Sequence, residues 1–380
     1  MKRFLVILVA VAALALVTAD LLHAQTGGSG VVGFNLTNAG RVRIGPYPYS
    51  SGTAHVGRTT ATAALNKNAV FDYNEDANKT AYVAQKITVP GVDDAARTIA
   101  DNSYSNKPPK VRVEVTIYFW AGTKYIIYRY RFYNDSTGAM PLYLGSFTVP
   151  MPSGAYGGET VAYNISKRTS YFYRTGTAAY ISQKLLNKNL YSMRIRDWDV
   201  YSSDPESDVA TDSVRYLMAT ETANDTLLTA GADGSVFCMN AGLYTLAPKD
   251  SADLYFGMGI GATAAEAIAL MDSAQAKYGK FVTSVEKTTA VVPAHFALEQ
   301  NYPNPFNPST QIRFGLSVRS SVTLTVYDAL GRSMRTLVNQ QLDAGEYTSM
   351  FDAAGLSSGV YFYVLKAGSF VESKRMVLIR

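Results

Sequence analysis

The chain has 380 residues, 47% of them hydrophobic and 17% charged, enough for two domains that bury their cores without disulfides or metals. A formal charge of +5 with no run of Lys or Arg offers nucleic acid no basic patch to bind, and a single cysteine, Cys238, excludes a disulfide framework within the chain. Abundant Gly, Ser, Thr and Tyr with few Lys and Glu favour strands over helices.

The N-terminus reads as an export signal. Lys2 and Arg3 precede the apolar run Phe4 to Val17, and Leu22-His23-Ala24 ends on a small side chain. Cleavage is expected between Ala24 and Gln25, with a competing site after Ala19, and it takes the formal charge from +5 to +4 by removing Lys2, Arg3 and Asp20. The apolar run is shorter than the roughly twenty residues that cross a bilayer as a helix, and no cysteine follows it to carry a lipid. No transmembrane helix is expected after signal removal.

Residues 30–287 are expected to form a large antiparallel β-sandwich. Val111 to Phe119 alternates cleanly, and after Ala121-Gly122-Thr123 the run Lys124 to Tyr133 alternates again, with Ile126, Tyr128, Tyr130 and Phe132 opposed to Arg129 and Arg131. The two runs predict a long hairpin. Further strands are expected at Pro141–Val149, Glu159–Ile165, Thr169–Arg174, Val214–Thr220, Ser235–Asn240 and Asp253–Ile260. One capping helix is predicted after Thr263, where Glu266 completes a capping box, Ala267, Met271, Ala274 and Tyr278 make an apolar stripe, and Gly279 can stop it.

Catalytic sets are thin. After signal removal only His55 and His295 remain, and no Gly-x-Ser-x-Gly elbow accompanies them, so a hydrolase triad and a histidine-rich metal site both lack their parts. Carboxylates offer more: Asp197, Asp199, Asp204, Glu206, Asp208 and Asp212 crowd one segment, and oxygen-rich loops of this kind hold calcium or supply an acid and a base. Their spacing matches no EF-hand, and Ser202, Ser203 and Pro205 predict a turn, so a solvated loop is the leading reading. Calcium is the one cofactor the sequence suggests, and Asp197 with Asp199 the candidate catalytic pair. Asp72, Asn74, Glu75 and Asp76 form a similar cluster. The 27 tyrosines suit strands, and those near Arg129 and Arg174 could also bind a sugar or a partner. Cys238, within Val236-Phe237-Cys238-Met239, reads as a buried small hydrophobe.

A polar-to-proline transition at residues 288–295 predicts a linker. In Asn301-Tyr302-Pro303-Asn304-Pro305-Phe306-Asn307-Pro308-Ser309-Thr310 the prolines exclude helix. Beyond it, Gln311–Leu316, Ser321–Tyr327, Ser333–Leu337, Gly345–Phe351, Gly359–Leu365 and Ser373–Ile379 read as strands. Asp328-Ala329-Leu330-Gly331 and Leu356-Ser357-Ser358-Gly359 supply turns, and the spacing suits a small immunoglobulin-like sandwich.

NYPNPFNPST, VTLTVYDALGRSMRTL, LDAGEYTSMFDAAGLSSGVYFYVL and KRMVLIR, in this order, resemble the type IX secretion C-terminal sorting domain, type A, over residues 296–380. The pattern is also similar to the immunoglobulin-like domain of flagellar hook-capping proteins, which the signal peptide argues against. The resemblance implies Bacteroidetes-type export by way of the periplasm, recognition by an outer-membrane type IX translocon, removal of the module by a surface peptidase, and a secreted or cell-surface destination. It carries over Tyr302, Pro303, Asn304, Pro305, Phe306, Asn307, Pro308, Gly331, Gly345, Gly359, Lys374 and Arg375, with the last strand as recognition surface and the proline segment as either linker or contact. In the large domain, Tyr244 to Ser251 and on to Ala276-Lys277-Tyr278, with Asp197-Trp198-Asp199 upstream, resembles uncharacterised β-sandwich domains of secreted bacterial proteins. The expected function is a non-enzymatic binding or structural module at the surface, with a polysaccharide or surface partner. The alternatives are a carbohydrate-active enzyme using paired carboxylates and an accessory domain of a secreted protease.

Overall fold

A computed structural model describes residues 24–71, 77, 82–89, 91–105, 107–202, 207–281, 286–289, 293–307, 309–353 and 356–379. The segment ahead of Ala24, expected as an export signal, lies outside these residues. The chain divides into two compact units, one running to Gln275 and the other from Ala276 onward together with Val89–Gly91.

The large unit opens with β1 (Gln25–Gly28), β2 (Val32–Leu36), β3 (Val42–Pro46), β4 (Val56–Asn66) and β5 (Ala69–Phe71). It continues through β6 (Gln85–Ile87), β7 (Asp94–Asp101), β8 (Val111–Phe119), β9 (Tyr125–Asn134) and β10 (Met140–Pro150). Next come β11 (Glu159–Asn164), β12 (Thr169–Arg174), β13 (Tyr180–Leu185) and β14 (Ser192–Asp197), then helices α1 (Trp198–Ser202) and α2 (Ser207–Thr220). β15 (Leu227–Thr229), β16 (Ser235–Leu246), β17 (Ser251–Gly261) and helix α3 (Ala264–Phe281) follow.

Two antiparallel sheets result. One has eight strands in the order β1-β2-β3-β4-β10-β16-β14, with β5 paired to β4, and the other nine in the order β15-β11-β12-β13-β17-β9-β8-β7-β6. Their facing side chains make one core: Phe34, Leu36, Val42 and Ile44 from the first sheet meet Val113, Val115, Tyr128, Tyr130, Phe132 and Phe256 from the second. The predicted hairpin is present, with Val111 opposite Asn134 and Tyr118 opposite Ile127.

The opposite face of β9 is also buried, which hydrophobicity alone does not explain. Arg131 Nε and Nη2 donate to the two Asp253 carboxylate oxygens at 2.7 and 2.9 Å, and Arg129 pairs with Glu114. Burial pushes the Asp253 carboxyl up, but Arg131 and then Arg129 outweigh it and hold it below the usual carboxylate range.

The helical content exceeds the single helix expected. Val214–Thr220 is no strand but the end of α2, because Asp212, Arg215, Met218 and Ala219 are buried while Leu217 is 53% exposed, a 3.6-residue period. Arg215 can sit inside because its Nε donates to Tyr201 Oη at 2.8 Å, with Asp212 beside it. The helix α3 forms where the capping box predicts it: Glu266 N–H donates to Thr263 Oγ1 at 3.2 Å and Glu266 Oε2 accepts from Ala262 N–H at 2.8 Å. It lies on β17, where Gly257, Gly259 and Gly261 leave room for Ala274, Met271 and Ala267.

The second unit comprises β18 (Glu286–Thr289), β19 (Ala297–Leu298), β20 (Ser309–Leu316), β21 (Ser320–Asp328), β22 (Ser333–Leu342), β23 (Gly345–Asp352), β24 (Gly359–Ala367) and β25 (Phe370–Leu378). They form two four-stranded sheets, β18-β23-β20-β19 and β22-β21-β24-β25, enclosing a core that includes Ile312, Phe314, Leu324, Val326, Phe351, Tyr363 and Leu365. β18 occupies the start of the stretch expected as a linker and pairs with β23. Gly331 closes the predicted turn at φ +77, donating to Asp328 O at 3.0 Å.

Candidate functional site

A cleft of about 390 Å³ opens on the large unit, lined by Arg41, Arg43, Gly57, Arg58, Val149, Tyr156, Trp198, Ala232 and Asp233. The strand period places the arginines. Val42 and Ile44 point into the core, so Arg41 and Arg43 share the other face of β3, and Arg58 stands next to β3 on β4, one residue before Thr59, which pairs with Val42. Arg43 Nε donates to Gly57 O at 2.8 Å, which fixes its direction, and the Arg58 guanidinium lies over the Trp198 ring at 5.9 Å. Gly57 carries no side chain because the Tyr156 hydroxyl occupies its place: a Cβ there would sit 2.6 Å from Tyr156 Oη.

The far wall is a loop held from two sides. Asp197 Oδ2 accepts from Gly231 N–H at 2.8 Å, Asp197 Oδ1 from Asp199 N–H at 3.2 Å, and Trp198 N–H donates to Gly234 O at 2.8 Å. On the other side Gly158 N–H donates to Gly231 O at 2.9 Å, and Gly157, at φ +80, approaches so closely that a Cβ on it would lie 2.0 Å from Ala232 O. Asp197 thus orients Trp198 and Asp233 together. A hydrogen bond that the protonated Asp199 carboxyl donates to Asp233, with desolvation second, holds Asp199 above the usual carboxylate range.

The described part of the acidic segment, Asp197 and Asp199, turns its carboxylates to other partners. Asp197 spends both oxygens on backbone N–H groups and Asp199 turns to Asp233, and among the described residues no cluster of three or more His, Cys, Asp or Glu side chains could hold a metal. Asp204, Glu206 and the Asp208 side chain lie outside the described residues, as do Asp72, Asn74, Glu75 and Asp76. His55 Nδ1 accepts from Ser153 N–H at 3.0 Å, and burial pushes its pKa down. Cys238 is fully buried, donates to Asn240 Oδ1 at 2.9 Å, and burial drives its thiol up. The cleft arginines escaped the sequence reading, although Arg41-Val42-Arg43-Ile44 carries the alternation that places them.

In the small module the proline segment runs along the edge of β25. Asn304 Oδ1 accepts from Val377 N–H at 2.9 Å, Asn304 Nδ2 and Gln300 Nε2 donate to Arg375 O at 3.3 and 2.8 Å, and the Phe306 ring is buried. Tyr302, Pro303, Pro305 and Asn307 are exposed, and Pro308 lies outside the described residues. Arg375 is exposed, and Lys374 Nζ lies 3.0 Å from Glu372 Oε1. Tyr363 ties the segment to β24, its hydroxyl accepting from Asn301 N–H at 2.7 Å and donating to Glu299 O at 2.8 Å. Burial pushes this phenol up to about 12. The unfolded phenol releases its proton first, near pH 10, so module stability is expected to fall between about pH 10 and pH 12. Chemical denaturation across that window reads the slope, and Tyr363→Phe flattens it.

No helix of the described residues is long and apolar enough to cross a membrane. Among curated proteins none matches the chain. Solved structures similar to it include a bacterial glucoamylase complexed with acarbose, at 12% identity and TM-score 0.47, covering 67% of this chain and 35% of that one. A polysaccharide lyase is similar at 9% identity and TM-score 0.34, covering 92% and 46%. A galactose mutarotase-like protein from Lactobacillus casei is similar at 9% identity and TM-score 0.35, covering 62% and 99%. The chain therefore spans less than half the length of the first two. Residues 300–379 match the family model described as the secretion system C-terminal sorting domain, the residues that form β20 to β25 and the segment packed along β25. The chain carries a type IX secretion C-terminal sorting domain and is an exported protein, bound for the cell surface or the medium.

Proposed function

We propose that the large unit is a non-enzymatic binding module, delivered outward by its sorting domain, and that it holds an acidic polysaccharide in the cleft of Arg41, Arg43, Arg58, Tyr156 and Trp198. The observation that carries this reading is the convergence of three guanidinium groups and two aromatic rings from four separate segments on one open cleft. Guanidinium forks pair with carboxylate or sulfate groups on a sugar, while an indole face stacks on its ring. The translocon and surface peptidase implied by the sorting domain are its proposed export partners, with the segment of Gly345, Gly359, Lys374 and Arg375 the proposed contact.

Affinity electrophoresis tests the reading. The mature protein is expected to be retarded in gels containing polygalacturonate and to run freely in a neutral glucan, with Arg58→Ala and Trp198→Ala each weakening retention about tenfold, or ~1.4 kcal/mol. Equal mobility of wild type and variants in every gel overturns it.

The Asp199–Asp233 pair favours one alternative, an enzyme in which the shared proton serves glycosidic cleavage. Release of reducing ends by the wild type, abolished in Asp199→Asn, would replace the binding reading with this one.

A further inference from the structure

An exposed edge strand presents unpaired N–H and C=O groups to which another chain can add. β25 is such an edge, last in the sheet β22-β21-β24-β25. Over residues 375–379 its outward groups are already taken. Arg375 O accepts from both Gln300 Nε2 and Asn304 Nδ2, Val377 N–H donates to Asn304 Oδ1, Val377 O accepts from Phe306 N–H at 2.9 Å, and Ile379 N–H donates to Phe306 O at 3.0 Å.

The manner of this capping matters. A strand laid along β25 would offer a new outer edge of its own. Here one asparagine side chain, with a donor and an acceptor on one amide, takes the place of a peptide group, and main-chain pairing is confined to Phe306, in a parallel bridge to Leu378. On either side of Asn304 stand Pro303 and Pro305, which have no N–H to donate. The cap therefore satisfies β25 without creating a second adhesive edge. Its anchor is Phe306, 2% exposed, whose ring lies 5.9 Å from that of Phe351.

We infer that the segment Gln300–Phe306 is an edge guard, which prevents β25 from adding a strand of a second copy of this chain, antiparallel across the same edge. A second copy fits because it brings the same strand, whose exposed Val371 and outward backbone groups complement themselves under a two-fold axis. Guarding suits a module that must stay folded and monomeric on its way to a receptor.

The mature full-length chain and its Asn304→Ala variant are compared by amide hydrogen exchange and by light scattering across protein concentration. Exchange at Val377 is expected to rise at least tenfold in the variant while Leu324 and Leu365 stay protected, and the variant is expected to dimerise where the parent remains monomeric. Unchanged exchange at Val377, or fast exchange in a strictly monomeric variant, overturns the guard. Should the core amides also lose protection, Asn304→Asp serves instead. It keeps the acceptor for Val377 N–H and the Phe306 anchor but sets an oxygen against Arg375 O, and its dimerisation supports the guard where a monomer refutes it.

Discussion

A chain ending at Val292 remains in the periplasm of a host with a working type IX system, whereas the full-length chain reaches the surface or the medium. The expectation is near-complete loss of export rather than a graded defect, because the truncation removes all of the residues that match the sorting domain. It takes from β18 its partner β23 but leaves the core of the large unit intact. The core of the large unit is built from Val32 to Met258, and the α3 residues that lie on β17, Ala267, Met271 and Ala274, all precede the cut. Retention can therefore be told from misfolding by recovering the truncated protein from the periplasm and showing that it keeps the thermal transition of the large unit. Equal export of both forms would remove the sorting function from the module.

Asp253→Ala costs about 3–5 kcal/mol of large-unit stability, the range for breaking a buried ion pair from one side. The cause is the partner left behind. Arg131 has a side chain only 13% exposed, and the two donors it turns to Asp253 then lose those acceptors between β9 and β17. Replacing both residues, as in Arg131→Met with Asp253→Leu, is expected to recover most of the loss, since two apolar side chains of similar size need no partner. Urea denaturation followed by tryptophan fluorescence measures each value, and a single-variant cost below about 1 kcal/mol would mean the pair is solvated in solution.

The legible parts of the sequence were those where one physical demand acted alone. The β8–β9 hairpin follows from alternation, and α3 from a capping box with an apolar stripe. The misread element, Val214–Thr220, mixes β-branched, aromatic and long apolar residues in a run too short to choose a period, and its helical state depends on Arg215 finding Tyr201 inside the fold. The cleft was hidden for a different reason. Arg41, Arg43, Arg58, Tyr156 and Trp198 span more than 150 positions, and only the pairing of β3 with β4 and the anchoring of the Gly231–Gly234 loop by Asp197 bring them together. The export signal at the far end of the chain, by contrast, is written as contiguous motifs, because the module that carries it lies within one stretch of sequence, residues 300–379.

The single thiol, sealed at Cys238, makes this protein easy to track. A maleimide dye finds nothing to react with on the folded native surface, so one cysteine placed in an exposed turn, at Leu330 for example, becomes a unique handle, and the passage of individual molecules through the outer membrane can be followed without first engineering a thiol-free background.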